Sequence, residues 1–132
     1  MILVDSSVWI EYLRGSDAPE AGLLDRALSE ERLVVGDLIY LKVMRGVRDA
    51  QIARVGRQLR TCEFQALGGR ATIEAAVDHH RMLRARGITI RRTIDIVIAT
   101  HCILNDLRLL HRDHDFDPFE QHLGLQPPRI IA

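Results

Sequence analysis

The stretch Ile2-Leu3-Val4-Asp5-Ser6-Ser7-Val8-Trp9-Ile10 decides how this chain is read. Three aliphatic residues run straight into an aspartate, and two serines follow before apolar residues return. A short strand ending in a turn satisfies that order, with Ser6 or Ser7 able to cap a helix that carries Val8, Trp9, Tyr12 and Leu13 as far as Gly15. A strand that leads directly into a helix through a polar turn is the opening unit of an α/β domain.

Working outward, the same alternation continues. Pro19 suits the first turn of a second helix through Leu23, Leu24, Ala27 and Leu28, and residues 32–36 form a second β-branched run ending in Gly36. Asp37 is placed to cap a third helix, whose Leu38, Ile39, Leu41, Val43, Met44 and Val47 point nearly all round the axis, the pattern of a buried helix. A further helix is expected over 49–59, and a third strand over 62–67. Gly68-Gly69 break the chain before a long amphipathic helix over 71–86, which Gly87 closes. Residues 88–92 are extended and basic. Thr93 can cap a helix that is again apolar almost all round, from Ile94 through Leu104. A fourth strand over 107–111 runs into the acidic loop 113–117, and Pro127-Pro128 precede a final edge segment over 129–131. Strands alternating with helices predict a three-layer α/β/α domain around a mostly five-stranded parallel sheet.

The bulk properties agree. A length of 132 residues has room for one domain spanning the chain, with 47% hydrophobic and 27% charged residues, an ordinary globular composition. No apolar run approaches the roughly 20 residues that span a bilayer, so a cytoplasmic protein without membrane contact is expected. Cys62 and Cys102 lack a paired-ligand spacing, which excludes a zinc or disulfide framework and makes both small core residues. Eighteen basic residues balance eighteen acidic ones, so nucleic-acid binding would need local charge asymmetry. Of those eighteen, seventeen are arginine, and the single lysine is Lys42.

In open α/β sheets the loops at the carboxyl ends of the strands converge on a crevice. Asp5 follows the first strand directly, and Asp113 follows the fourth by three residues. Asp95 shares a helix face with Ile98, Ala99 and Cys102, so its carboxylate is embedded in an apolar wall, which is costly unless it is paired or metal-bound. Taken singly, each has a plainer role: a cap for Asp5, a macrodipole partner for Asp95, a solvated turn for Asp113, Asp115 and Asp117. Taken together, converging carboxylates repel one another, and a hard cation such as Mg²⁺ or Mn²⁺ is the usual remedy. Such an ion can activate water for phosphodiester displacement.

Four segments in this order and spacing resemble the PIN-domain ribonucleases, and within them the VapC-type toxins of bacterial toxin–antitoxin pairs: residues 2–10, Val43-Met44-Arg45-Gly46, Thr93-Ile94-Asp95-Ile96-Val97-Ile98-Ala99, and Leu109-Leu110-His111-Arg112-Asp113-His114-Asp115-Phe116. The resemblance spans essentially the whole chain. It implies a Mg²⁺- or Mn²⁺-dependent endoribonuclease with Asp5, Asp95 and Asp113 as its acidic residues, Asp115 as an additional ligand and Ser6 ordering the site. It also implies a VapB-type antitoxin as partner, an RNA substrate, and a homodimer or toxin–antitoxin hetero-oligomer. Arg91, Arg92 and Arg112 are candidate RNA contacts on a basic rim, and at 5% aromatic content base stacking does not dominate recognition.

Two positions depart from the family pattern. His111 stands where the family has a hydroxyl residue, and Lys42 stands where it has glutamate. Flanked by Leu41 and Val43, Lys42 is expected to be partly buried and to pair with the aspartates, neutralising their repulsion while opposing a cation. The expected result is a folded, weakly active toxin. Two other classes compete: a non-catalytic PIN module that only binds its antitoxin, and a receiver-like phosphoacceptor domain. The last is disfavoured because the third strand offers Glu63 and no aspartate.

Overall fold

A computed structural model describes residues 1–30 and 32–128. Among the described residues, contacts divide the chain into two compact units, one within Met1–Ala66 with Leu110–Arg112 and the other formed by Leu67–Leu109 with residues 113–128.

The first unit contains β1 (Ile2–Val4), α1 (Ser6–Leu13), α2 (Pro19–Glu30), β2 (Leu33–Gly36), α3 (Asp37–Arg45), a 3-10 turn (Asp49–Gln51), α4 (Ile52–Arg60) and β3 (Glu63–Gln65). β1 and β2 pair in parallel with Ile2 opposite Leu33 and Leu3 opposite Val34, and β2 pairs in parallel with β3 with Val35 opposite Phe64. Every residue of β1 and β2 is buried, as unbroken aliphatic runs in a sheet covered on both faces should be. β4 (Arg108–Leu110) completes the described sheet in the order β3-β2-β1-β4.

Two local expectations change here. The cap of α1 is Asp5 itself, whose carboxylate accepts from the Ser7 backbone N–H, while Ser6 and Ser7 lie inside the helix. α3 begins at Asp37 with Gly36 as its cap, and it is not a buried helix: only Ile39 and Val43 are fully buried, while Leu38 and Leu41 are 43% and 60% exposed. A nine-residue helix packed on β2, α1 and α4 buries one i, i+4 stripe fully and the adjoining Tyr40 and Met44 by half, with Tyr40 edge-on to Phe64 at 5.8 Å, while Leu38 and Leu41 face solvent.

The second unit contains α5 (Arg70–Ala85), α6 (Thr93–Leu104), a 3-10 turn (His114–Phe116) and α7 (Asp117–His122). α5 packs along α6, and α6 also meets the 3-10 turn. α6 is buried from Asp95 through Cys102, as its all-round apolar pattern predicts. Thr93 is its first residue; the cap is Arg92, in extended conformation. Gly87, at φ 78°, ends α5 in a Schellman arrangement in which the Ile88 N–H donates to the Leu83 carbonyl over 2.9 Å. Four strands are seen among the described residues where five were expected. A single parallel bridge, Arg108 to Gln126, lies beside β4, and the expected edge segment 129–131 lies outside the described residues. No helix among the described residues is long and apolar enough to cross a membrane.

Candidate active site

The second unit gathers Asp95, Asp113 and Asp115, each offering one carboxylate oxygen, with the three oxygens within 4.8 Å of one another. Each residue is there for a local reason. Asp95 enters in the first turn of α6, where a negative charge complements the helix dipole, and it is buried. Asp113 caps the following 3-10 turn, its Oδ1 accepting from the Asp115 N–H over 2.9 Å, and that turn swings Asp115 back beside it. Phe116, in the same turn, is completely buried. An all-oxygen set at this spacing fits a hard divalent cation and offers nothing to a soft metal that prefers thiolate.

A fourth group belongs to the cluster. Arg92 reaches Asp113 Oδ2 with NH2 at 2.8 Å and Asp95 Oδ2 with Nε at 3.4 Å. Sequence reading assigned Arg92 to the basic rim; the available signal was its i, i+3 spacing to Asp95. Arg91 beside it is exposed. His114, fully exposed, has its pKa raised by the hydrogen bond to Asp117, 2.8 Å away.

The first unit holds the remaining predicted residues. Asp5 is buried at the end of β1, where its N–H donates to the Leu110 carbonyl over 2.9 Å and its Oδ2 accepts the Ser7 hydroxyl over 2.6 Å. Ser6 is buried as well. Arg112 lies 3.3 Å from Glu11 and 3.5 Å from Glu20, tying α1 to α2. Lys42 is exposed on α3 and makes no ion pair among the described residues, so the expectation of a partly buried, carboxylate-paired ammonium is corrected. The reason is register: Ile39 and Val43 take the covered stripe, and position 42 falls outside it. Cys62 is half-buried where a core residue was expected, with burial pushing its thiol pKa up, whereas Cys102 is fully buried.

Within the first unit, α1, α3 and α4 enclose a groove of about 550 Å³. Ile10, Leu13, Val43, Val47 and Val55 give it an apolar floor, and Arg14, Arg48 and Arg54 stand along it.

Comparison with known proteins bears on all of this. A PIN domain family model matches residues 2–120. VapC ribonuclease Mb1587 of Mycobacterium bovis and ribonuclease VapC11 of Mycobacterium tuberculosis are each 31% identical over 129 residues, covering 96% of this chain and 96% of their own. Among solved structures, a toxin–antitoxin complex from Klebsiella pneumoniae superposes with a TM-score of 0.71 at 20% identity, covering 88% of this chain and 90% of that one. VapBC2 from Rickettsia felis, bound to a promoter DNA fragment, gives 0.66 at 15% identity over 97% and 98% of the two chains. M. tuberculosis VapC20, a sarcin-ricin loop cleaving toxin, gives 0.66 at 16% over 98% and 99%. With the family model matching residues 2–120 and two VapC ribonucleases 31% identical over nearly the whole chain, the chain belongs to the PIN-domain family, among the VapC-type ribonucleases.

Proposed function

We propose that this chain cleaves RNA with a divalent cation, Mg²⁺ or Mn²⁺, held by Asp95, Asp113 and Asp115. The convergence of those three carboxylates carries the reading. A bound ion of this kind supplies an acidified water and a counter-charge for phosphodiester oxygens. Asp95, buried in the apolar wall of α6, holds its carboxylate in one place, and Asp113 is fixed by its bond to the Asp115 N–H. The family pattern adds Asp5 to the acidic set and Ser6 to its support. Arg91 is free of ion pairs among the described residues and is suited to meet a phosphate of the substrate.

The partner we infer is a VapB-type antitoxin. The Klebsiella and Rickettsia neighbours are solved as toxin–antitoxin complexes. The groove between α1, α3 and α4, apolar below and lined by arginines, suits an amphipathic antitoxin segment carrying acidic residues. A cytoplasmic location and assembly as a homodimer or a toxin–antitoxin hetero-oligomer complete this reading. Lys42, an ammonium where the family pattern has a carboxylate, attenuates cleavage by removing an acidic ligand and opposing a cation. The same residue supports the second reading, a module that binds antitoxin and does not cleave.

The test is cleavage of total RNA with Mn²⁺ by the wild-type chain and by Asp113→Asn, Asp95→Asn and Asp5→Asn. Asparagine keeps the cap of α1 at position 5, so loss there reports charge and not folding. Each variant should lose activity by on the order of 100-fold or more. If the wild-type chain binds antitoxin but neither cleaves RNA nor takes up Mn²⁺, the module reading replaces the nuclease.

A further inference from the structure

We propose that Arg92 is the resident counter-cation of the Asp95, Asp113 and Asp115 cluster, and that a divalent ion binds only as its guanidinium withdraws. The inference rests on the metal reading above and adds a competitor built into the chain. Its basis is which oxygens are used. The 3-10 turn commits Asp113 Oδ1 to the Asp115 N–H at 2.9 Å, which fixes the rotation of the carboxylate and directs Oδ2 to the Arg92 NH2 at 2.8 Å. Arg92 Nε then meets Asp95 Oδ2 at 3.4 Å. One guanidinium therefore spans two of the three groups that would hold the ion.

Charge decides that the two occupants exclude each other. A guanidinium this close stabilises the carboxylates in the absence of metal, as a cation should, and it repels a second cation of charge two brought to the same oxygens. Asp95 makes the counter-charge necessary, because its carboxylate is buried. Arg92 can also leave. Its side chain is 54% exposed, and its backbone is held as the extended cap residue of α6, where its carbonyl accepts the Asp95 N–H over 3.1 Å and leaves the side chain able to turn. Withdrawal moves the guanidinium into solvent beside the exposed Arg91 and restores rotamer freedom.

The experiment is isothermal titration with Mn²⁺ of the wild-type chain, Arg92→Gln and Arg92→Lys, each with and without Asp95→Asn, together with thermal melts before and after Mn²⁺ addition. Arg92→Gln should bind Mn²⁺ about 10-fold tighter than wild type or better, since a unit charge leaves the site. It should also melt below wild type without metal and show the larger rise when metal is added. Arg92→Lys keeps the charge and should stay close to wild type, which separates electrostatic competition from a general loosening of the loop. Asp95→Asn should weaken binding in every background. If wild type, Arg92→Gln and Arg92→Lys bind Mn²⁺ equally, or Arg92→Gln binds more weakly, Arg92 is not a competitor and the proposal fails while the metal site stands. If no form binds Mn²⁺, the metal site fails and takes the proposal with it.

Discussion

Lys42 lies one position before the buried Val43, yet its own side chain is exposed and pairs with no described acid. That placement sets the size of its effect. A charge in solvent is screened, and exposed pairs are worth at most about 1 kcal/mol, a factor of about five in an equilibrium constant. Lys42→Glu is therefore expected to tighten Mn²⁺ binding by up to about five-fold at low salt, with RNA cleavage rising alongside and the gain shrinking as salt is added. Titration and cleavage at two salt concentrations check this. A gain far above five-fold would show the new carboxylate coordinating the ion outright, and no gain would remove position 42 from the site. Asp5 behaves differently, because its buried carboxylate has a structural duty as the cap of α1 as well as any catalytic one.

At the scale of elements, α6 ends less comfortably than α5. Its terminal turn places Asp106 at φ 52°, with the Leu107 N–H donating to the Cys102 carbonyl over 2.9 Å, the same geometry that Gly87 adopts after α5. Aspartate tolerates the left-handed region but pays for its Cβ, so Asp106→Gly should raise stability by roughly 0.5–1 kcal/mol in urea unfolding, and Asp106→Val should lower it. The α5–α6 interface carries a pH dependence of its own. His79 Nδ1 lies 2.8 Å from the Thr100 hydroxyl, and burial lowers its pKa from the ordinary 6.5. The unfolded chain then binds the extra proton more readily, so stability is full above the ordinary value and falls as pH drops through it. Wild type should lose more stability than His79→Gln between about pH 7.5 and 5.5, and equal losses would clear His79 of this role. His114 has the opposite sign: its pKa is raised by Asp117, so its contribution is present below the ordinary value and lost as pH rises through the raised one, but at full exposure it is screened.

Across the whole molecule, stability and site geometry meet in the buried aromatic residues. Phe116 and Phe119 are fully buried in the second unit, and Trp9 is fully buried in the first, with its ring edge-on to Tyr12 at 6.2 Å. Phe116 sits directly after Asp115 in the turn that presents two of the three carboxylates. Phe116→Ala should cost about 3–5 kcal/mol by cavity formation, a large share of the 5–15 kcal/mol that a domain has. Because the turn loses its anchor, Mn²⁺ affinity should fall even under conditions where the variant remains folded by circular dichroism. Phe116→Leu, which keeps most of the volume, should retain both properties far better, and an Ala variant of unchanged affinity would show that the turn holds its shape without the ring.

The sequence by itself determined the alternation of strands and helices, the parallel sheet and the all-round burial of α6, because continuous aliphatic runs can be satisfied only by cover on both faces. It also singled out Asp5, Asp95 and Asp113, since a carboxylate in an apolar helix wall and aspartates at strand ends are visible as patterns, while Asp115 came only from the family resemblance. What it could not supply was the side on which neighbours arrive. α3 has apolar residues nearly all round and Lys42 among them, yet only the Ile39–Val43 stripe is fully buried, and that follows from where β2, α1 and α4 lie. Likewise Asp5 and not a serine caps α1, and Arg112 goes to Glu11 and Glu20. The i, i+3 spacing of Arg92 to Asp95 is visible along the chain, but the tertiary structure alone decided that Arg92 also faces Asp113, because ion pairing between a loop and a later turn depends on distances in space that spacing along the chain does not encode.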